Sequence, residues 1–263
     1  MPLIATDITD ADARLDELVA AASPYWAGEH EVVQTFFSRR RTQQEHIRWL
    51  RAQCWKEFWG SLDAEGNGVI GRSVDRLAEL YPGLQSPEMR HEFLHIAREL
   101  YEEFHHYALL ADILEDLEGR YVPPSELQQL PQDAKLAQLR ARIVSSEGEL
   151  GPFVNKFSEG GGSSMYKAGM DISGGELEQR IAAAFRIIFD DEVGHMRKGA
   201  AGLRGTVQTP EQWEKAKRLT RDLARQRVLM RNEMFGQPLS EERLKEIDEG
   251  KIQPFHRDIL TTS

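Results

Sequence analysis

Several Glu-x-x-His pairs stand out in the sequence, because this spacing suits the binding of a metal ion. A Glu and a His three residues apart lie about one turn apart on the same face of an α-helix, so both side chains can reach one ion. Carboxylate and imidazole groups are suitable ligands for Fe(II), Mn(II) and Zn(II). Four of these pairs are Glu92/His95, Glu102/His105, Glu103/His106 and Glu192/His195.

Two of these pairs lie within the apolar stripe of a predicted helix. Glu103 and His106 share their helical face with isoleucine and leucine residues, and Glu192 and His195 share theirs with isoleucine and phenylalanine residues. A carboxylate beside an imidazole in an apolar stripe costs free energy unless a cation neutralises it. Both pairs are therefore candidate metal ligands.

The other two pairs are predicted to face solvent. Glu102 and His105 share their face with charged residues such as Arg98. Glu92 and His95 lie near the start of the same predicted helix, where an acidic residue favours the positive end of the helix dipole. We interpret these two pairs as surface and capping residues.

Helices must position the candidate ligands, since apolar residues recur at helical spacing along almost the whole chain and no segment has the alternation of a strand. Pro and Gly residues mark the boundaries of the helices. A glycine-rich stretch over 158–175 predicts a long loop, which could be a lid over a substrate channel or a plain crossover. The predicted helices span about 10–23, 29–62, 71–85, 87–119, 131–159, 176–202, 210–234 and 240–249.

The predicted helix boundaries add Glu147 to the candidate ligands. Glu103 lies about 15 residues before the end of its helix, and Glu147 lies about 15 residues after the start of the next. Glu192 lies about 16 residues into the fourth helix, which begins near Glu176. In an antiparallel bundle these offsets place Glu103, Glu147 and Glu192 at one level, near the middle of the bundle.

The first long helix is expected to supply one more carboxylate. Glu45 lies about 16 residues before the predicted end of that helix, which is the level of the other candidates. Glu57 has more apolar neighbours but lies close to the helix end. Glu99, one turn from Glu103, could be an additional ligand. The sequence favours Glu45 and leaves Glu57 and Glu99 as alternatives.

This pattern of ligands resembles the ferritin-like di-iron carboxylate superfamily, in which two helices each supply a Glu and two others each supply Glu-x-x-His. Glu103–His106, Glu147 and Glu192–His195 occur in the corresponding order on three predicted helices. The resemblance implies an all-α, ferritin-like four-helix bundle that binds two iron ions, with manganese as the alternative. It also implies an oxidase or oxygenase that uses dioxygen, a small organic substrate and an unidentified electron donor.

Three other functions are compatible with a helical chain of this kind. The first is a haem-oxygenase-like di-metal oxidase, which commonly carries His-x-x-x-Asp-x-x-His on its last core helix. In this chain Ile188 stands at the position of the first His, and Glu192 stands at the position of the Asp. That fold would favour Glu57 as the ligand from the first helix. A ferritin-like protein that stores iron without oxidising a substrate is the second alternative. The third is a helical interaction scaffold that binds no metal.

Two aromatic residues, Tyr107 and Trp49, are predicted near the metal ligands. Tyr107 follows His106 directly, and Trp49 lies one turn after Glu45. Either could be redox-active, or could simply pack in the core. Tyr107 is the candidate catalytic residue.

The composition narrows the classes of partner and site. The net charge of −10 argues against nucleic acid and anionic membranes as partners, and Arg39-Arg40-Arg41 is interpreted as a solvated helix face. Cys54 is the only cysteine, so neither an internal disulfide nor a thiolate cluster can form. No signal peptide and no apolar run of ~18 residues is evident, which predicts a cytoplasmic protein.

We expect a single helical domain, because no linker of disordered composition divides the chain. The bundle core is predicted over about 29–203. The helical extension over 210–263 could cover the site or form the interface of a homodimer.

Overall fold

The computed structural model describes residues 8–60, 62 and 66–254, and in this part of the chain it contains helices and no strand. Short 3₁₀ turns lie at Tyr81–Gly83 and Pro124–Glu126. The all-α prediction is confirmed for these residues. The helices are Ile8–Phe37 (α1), Gln43–Trp59 (α2), Val69–Leu80 (α3), Pro87–Glu118 (α4), Pro131–Ser146 (α5), Leu150–Phe157 (α6), Gly160–Met170 (α7), Glu176–Thr206 (α8), Pro210–Met234 (α9) and Glu241–Asp248 (α10).

The predicted helix over 29–62 is wrong, because the chain forms two helices there. α1 continues through Pro24 to Phe37, and α2 begins at Gln43. Thr42 caps α2: its hydroxyl accepts a hydrogen bond from the Glu45 amide, and the Glu45 carboxylate accepts one from the Thr42 amide at 2.9 Å. This reciprocal capping box satisfies backbone donors that would otherwise lack partners. Glu45 therefore lies in the first turn of a helix, and not near the middle of one.

The predicted helix over 131–159 is also divided. α5 ends at Ser146, and Gly148 adopts a φ of 53°, a left-handed conformation that favours glycine and ends a helix. α6 and α7 follow, so the stretch 158–175, predicted as a loop, contains a helix that is buried along most of its length.

The helices pack around one continuous hydrophobic cluster. α1 packs against α7 and α9, while α8 packs against α4, α6 and α7. α2 packs mainly against α4, and α5 packs against α6 and α9. α9 contributes Leu223, Ala224 and Val228 to the cluster, so part of the predicted C-terminal extension belongs to the core. Residues 255–263 of that extension lie outside the described residues.

None of the helices in the described part of the chain combines the length and the apolar composition that a bilayer span requires.

Two glycines test how tightly α7 is packed. A Cβ atom at Gly161 would lie 1.9 Å from Oε1 of the buried Glu29, whereas a Cβ at Gly194 in α8 would meet nothing within 4 Å. We expect Gly161→Ala to destabilise the protein by about 1–3 kcal/mol through overpacking. Gly194→Ala should leave stability unchanged or raise it by up to about 1 kcal/mol, because Ala favours a helix. Urea unfolding followed by circular dichroism measures both, and equal effects would contradict the close approach of α7 to Glu29.

Candidate metal centre

Two groups of side chains in the described part of the chain have the composition of metal sites. Within each group, one ligand atom from each residue lies within 4.8 Å of the others. One group comes from α2 and α4, and the other comes from α8 and the residue that joins α6 to α7. The groups are Glu57, Glu103 and His106, and Glu159, Glu192 and His195.

The two groups lie close enough to act on each other electrostatically. Burial raises the pKa of Glu103 well above its usual value, and the charges of Glu57, Glu192 and Glu159 raise it further. Burial also raises the pKa of Glu192, with contributions from Glu159 and Glu57. Each of these two carboxylates is thus affected by carboxylates of both groups, so the four form one electrostatic unit.

His106 is oriented by a carboxylate on its outer side. Its ring is fully buried, and Nε2 lies 3.0 Å from Oδ2 of Asp191. Nδ1 points toward the first group, 3.8 Å from Oε2 of Glu57, and has no hydrogen-bond partner. A neutral imidazole that donates its Nε2–H to Asp191 keeps a lone pair on Nδ1, which is the form that binds a metal ion.

His195 has the same arrangement with the helices exchanged. Its Nε2 lies 3.3 Å from Oε2 of Glu102, and its Nδ1 lies 3.6 Å from Oε2 of Glu159. Although burial opposes ionisation of Glu102, Arg98 and His195 hold the pKa of that carboxyl below its usual value, so Glu102 is available as an acceptor.

The two halves of the site are therefore related by an approximate exchange of α4 and α8. The residue before Glu103 in α4 contacts the imidazole from α8, and the residue before Glu192 in α8 contacts the imidazole from α4. Each helix thus carries the same five-residue unit, which consists of an outer carboxylate, an inner Glu and, three residues after that Glu, a His. The two units are Glu102-Glu103-x-x-His106 and Asp191-Glu192-x-x-His195.

A buried hydrogen-bond network fixes Glu57. The Tyr166 hydroxyl donates to Oε1 of Glu57 at 2.7 Å, and the Gln53 side-chain amide donates to the Tyr166 oxygen at 2.8 Å and to Glu57. Arg231 in turn donates to the Gln53 side-chain oxygen. Burial and the Glu57 charge raise the pKa of Tyr166 well above its usual value, so the phenol remains a donor.

This network ends at a buried ion pair. Glu29 in α1 accepts from Nε of Arg227 at 3.0 Å and from Nε of Arg231 at 3.2 Å, and all three side chains are almost completely buried. The absence of a side chain at Gly161 leaves room for Glu29 against α7. One carboxylate here serves two guanidinium groups, which leaves an excess of positive charge beside the site.

The structure brings Glu103 and His106 into one group and Glu192 and His195 into the other, and it corrects the predicted position of Glu45, which lies outside both groups. Glu45 lies in the first turn of α2, where it accepts from Arg39 and Arg41 and belongs to neither group. The hydrogen bond from the Thr42 amide, together with a smaller contribution from that of Arg41, lowers the pKa of Glu45 to about 2. Glu57, near the other end of α2, takes the place that was predicted for Glu45.

Glu147 is likewise corrected. It directly follows the last residue of α5, and its carboxylate pairs with Lys215 of α9 outside both groups. Glu159, twelve residues later in the chain and between α6 and α7, occupies the predicted place. Glu99, the possible additional ligand, pairs instead with Lys156 at 2.7 Å.

The predicted catalytic residue Tyr107 belongs to neither group. Its ring packs against Phe58 at a centroid distance of 5.0 Å, and burial together with the Cys54 thiol raises its pKa to about 12. Tyr166 of α7 is instead the tyrosine that contacts a candidate ligand. Trp49 is a core residue that stacks on Phe235 at 5.3 Å.

One sequence signal could have strengthened the site prediction. A second carboxylate directly before the inner Glu occurs in both Glu-x-x-His units that form the site, and this shared feature distinguishes Glu192/His195 from Glu92/His95. No comparable local signal marks Glu57 or Glu159.

Comparison of the chain with protein-family models, with curated proteins and with solved structures finds no match.

The residues of both groups fit divalent metal ions. His106 Nδ1 and Glu159 Oε2 are buried without a hydrogen-bond partner, one in each group, and both are atoms that ligate metals. Four carboxylates and two neutral imidazoles form a set of donors suited to Fe(II), Mn(II) or Zn(II).

Repulsion among the carboxylates predicts an unusual effect of pH on the metal-free protein. An acid whose pKa is raised by folding contributes stability at low pH, and this contribution is lost as pH rises through the folded-state pKa. We therefore expect Glu103→Gln to stabilise the chelator-treated protein relative to wild type at pH 8, by about 1–3 kcal/mol, and to lose this advantage at pH 4–5.

Glu99→Gln is the matched control on the same helix. Although burial opposes ionisation of Glu99, Lys156 lowers its pKa, so removal of this charge should destabilise the protein at pH 8. The measurement is the unfolding free energy in urea at both pH values with a chelator present. An advantage of Glu103→Gln that does not grow between pH 5 and pH 8 would contradict the proposed repulsion.

Proposed function

We propose that this protein is a ferritin-like, non-haem di-metal oxidase or oxygenase that binds two iron ions, with manganese as the alternative. The observation that carries the proposal is the pair of carboxylate–imidazole groups related by exchange of α4 and α8. Local helix geometry can place one Glu-x-x-His unit on a face, but the mutual contacts of both units require the tertiary fold.

The two groups define which residues would hold each ion. Glu57, Glu103 and His106 would hold one ion, and the other group would hold the second. Glu103 and Glu192 are the candidates for shared ligands, because carboxylates of both groups raise the pKa of each. Asp191 and Glu102 would keep the imidazoles in their metal-binding orientation.

Charge balance supports two divalent ions. The four carboxylates of the groups, one buried and three half-buried, repel one another, and this repulsion costs free energy. Two divalent cations would neutralise four carboxylates, while the two imidazoles stay neutral.

The chain's own residues prepare the site for reaction with dioxygen. Iron, when bound, supplies the electrons for the reduction of dioxygen. The Tyr166 hydroxyl donates its proton in a hydrogen bond to Oε1 of the candidate ligand Glu57, and the two oxygens lie 2.7 Å apart. Phe157 and Phe185 are fully buried in the surrounding core and help to exclude water.

The haem-oxygenase-like alternative has less support. That fold commonly places a His one turn before the acidic ligand of its last core helix. Here the residue at that position is Ile188, which is fully buried in the hydrophobic cluster. The second Glu-x-x-His unit and Glu159 also agree better with the ferritin-like set of ligands.

Metal content tests the ligand assignment. After expression in iron-replete medium, we expect about two irons per chain in the wild type. Glu57→Gln and Glu159→Gln should each reduce metal affinity by about tenfold or more, because each removes a charged ligand. Glu45→Gln and Glu147→Gln are matched controls, since these residues lie outside both groups, and they should retain wild-type iron.

Plasma emission spectrometry of the four purified variants measures the metal content. Loss of iron in Glu45→Gln, or equal iron in all variants, would contradict the assignment. Many irons per chain would indicate storage instead of a two-ion centre.

Dioxygen consumption tests the proposed activity. When the metal-free protein is loaded with two equivalents of Fe(II) without air and then mixed with oxygenated buffer, we expect rapid dioxygen uptake and new visible absorption. Glu57→Gln should slow the uptake by about tenfold or more, since it removes a ligand held by the Tyr166 network. Uptake no faster than that of Fe(II) in buffer alone would overturn the proposal.

A further inference from the structure

Two cations beside the candidate metal centre lack a carboxylate partner within ion-pair distance among the described residues. Lys56 directly precedes Glu57 in α2, and Arg140 lies in α5. Nε and Nη2 of Arg140 are buried and have no hydrogen-bond partner. Guanidinium donors that are buried without a partner are costly, and this cost needs an explanation.

The position of the two cations links them to the centre. The charge of Arg140 interacts with those of Glu159 and Glu192, which belong to the second group of candidate ligands. Lys56 interacts electrostatically with Arg140 and Arg227. The two cations thus lie beside the carboxylates and repel each other, which burial makes more costly.

Neighbouring acidic residues do not balance this positive charge once the centre holds metal. Two divalent ions would neutralise the four glutamates of the centre. Arg227 and Arg231 share the single carboxylate of Glu29. Asp133, the nearby carboxylate that acts on both Lys56 and Arg140, offsets only one of their two charges. The remaining excess of positive charge would be offset by a bound anion.

The vacant donors of Arg140 suit one kind of anion. Nε and Nη2 form one edge of the planar guanidinium group, and this edge donates two parallel hydrogen bonds to the two oxygens of a carboxylate. Lys56 and Arg140 are each half-buried, but Nε and Nη2 of Arg140 are themselves buried, so a carboxylate bound to this edge would be shielded from solvent. The ammonium group of Lys56 adds a second positive charge.

We propose that Arg140 and Lys56 bind the carboxylate of an organic substrate and hold the rest of that molecule beside the metal centre. Arg140 presents its vacant edge to both carboxylate oxygens, and Lys56 supplies a further charge. The proposal rests on the proposed function, because it treats the bound molecule as the substrate of that centre. Both residues are positioning residues, since neither belongs to the candidate metal ligands.

Calorimetric titration of the zinc-loaded protein tests this subsite, because zinc does not react with dioxygen. The probes are octanoate and benzoate, with octanamide and benzamide as neutral counterparts and inorganic phosphate as a competing anion. We expect one carboxylate to bind per chain. The amides should bind more weakly, by a factor of about ten or more.

The variants locate the binding site. Arg140→Gln and Lys56→Gln should each raise the Kd for a carboxylate by about tenfold or more. Arg140→Lys keeps the charge without the planar edge, so its Kd should lie between those of wild type and Arg140→Gln. Arg142→Gln is the matched control, because Arg142 is an exposed arginine on the same helix, and its Kd should be unchanged.

Zinc stoichiometry, measured on the same preparations, separates this proposal from the proposed function. If zinc does not bind stoichiometrically, the metal centre fails; the carboxylate titration is then compared between Arg140→Gln and Arg142→Gln in metal-free protein. Equal Kd values for these two variants overturn the subsite, as does equal binding of amides or tighter binding of phosphate. The subsite is also overturned if Arg140→Gln reduces the affinity for zinc but leaves the affinity for carboxylates unchanged. In that case Arg140 would stabilise the charge of the candidate ligand Glu159.

Discussion

Repulsion among four carboxylates is the constraint on which the rest of this structure depends. Glu57, Glu103, Glu159 and Glu192 come from distant parts of the chain, and the fold holds them together although their charges oppose this. Protonation relieves the repulsion at low pH, and two divalent cations would relieve it at neutral pH. Packing of α4 against α8 must therefore outweigh an electrostatic cost that protons or divalent cations would reduce.

The groups around the centre are arranged to meet this constraint from two sides. On the imidazole side, outer carboxylates accept from the two histidines, so that a lone pair can face the centre. On the other side, a continuous network runs from Glu29 through Arg231 and Gln53 to Glu57. The helix α7 completes this side, because Gly161 lets it approach Glu29 and Tyr166 donates to Glu57. Stability and site geometry thus depend on the same buried polar contacts.

The predicted axial positions of Glu45 and Glu147 are wrong for the same physical reason. Both Glu45 and Glu147 were placed at the level of the site by counting residues along a helix that was assumed to be unbroken. The capping box at Thr42 starts a new helix just before Glu45, and α5 ends at Ser146, directly before Glu147 and the left-handed Gly148. Each break changes the axial offset of every residue beyond it, since a helix rises ~1.5 Å per residue. Glu57 and Glu159 then occupy the level that the counting assigned to the wrong residues.

The sequence by itself determined what depends on neighbouring residues: the helical class of the chain, and the placement of Glu103/His106 and of Glu192/His195 on single helix faces. A spacing of three residues has the same geometric meaning in any helix. Only the tertiary structure decided that Glu57 and Glu159 complete the two groups, that Tyr166 replaces Tyr107 beside them, and which outer carboxylate contacts each imidazole. These contacts join different helices, so they depend on where each helix begins and how deeply it packs, and no local spacing contains that information.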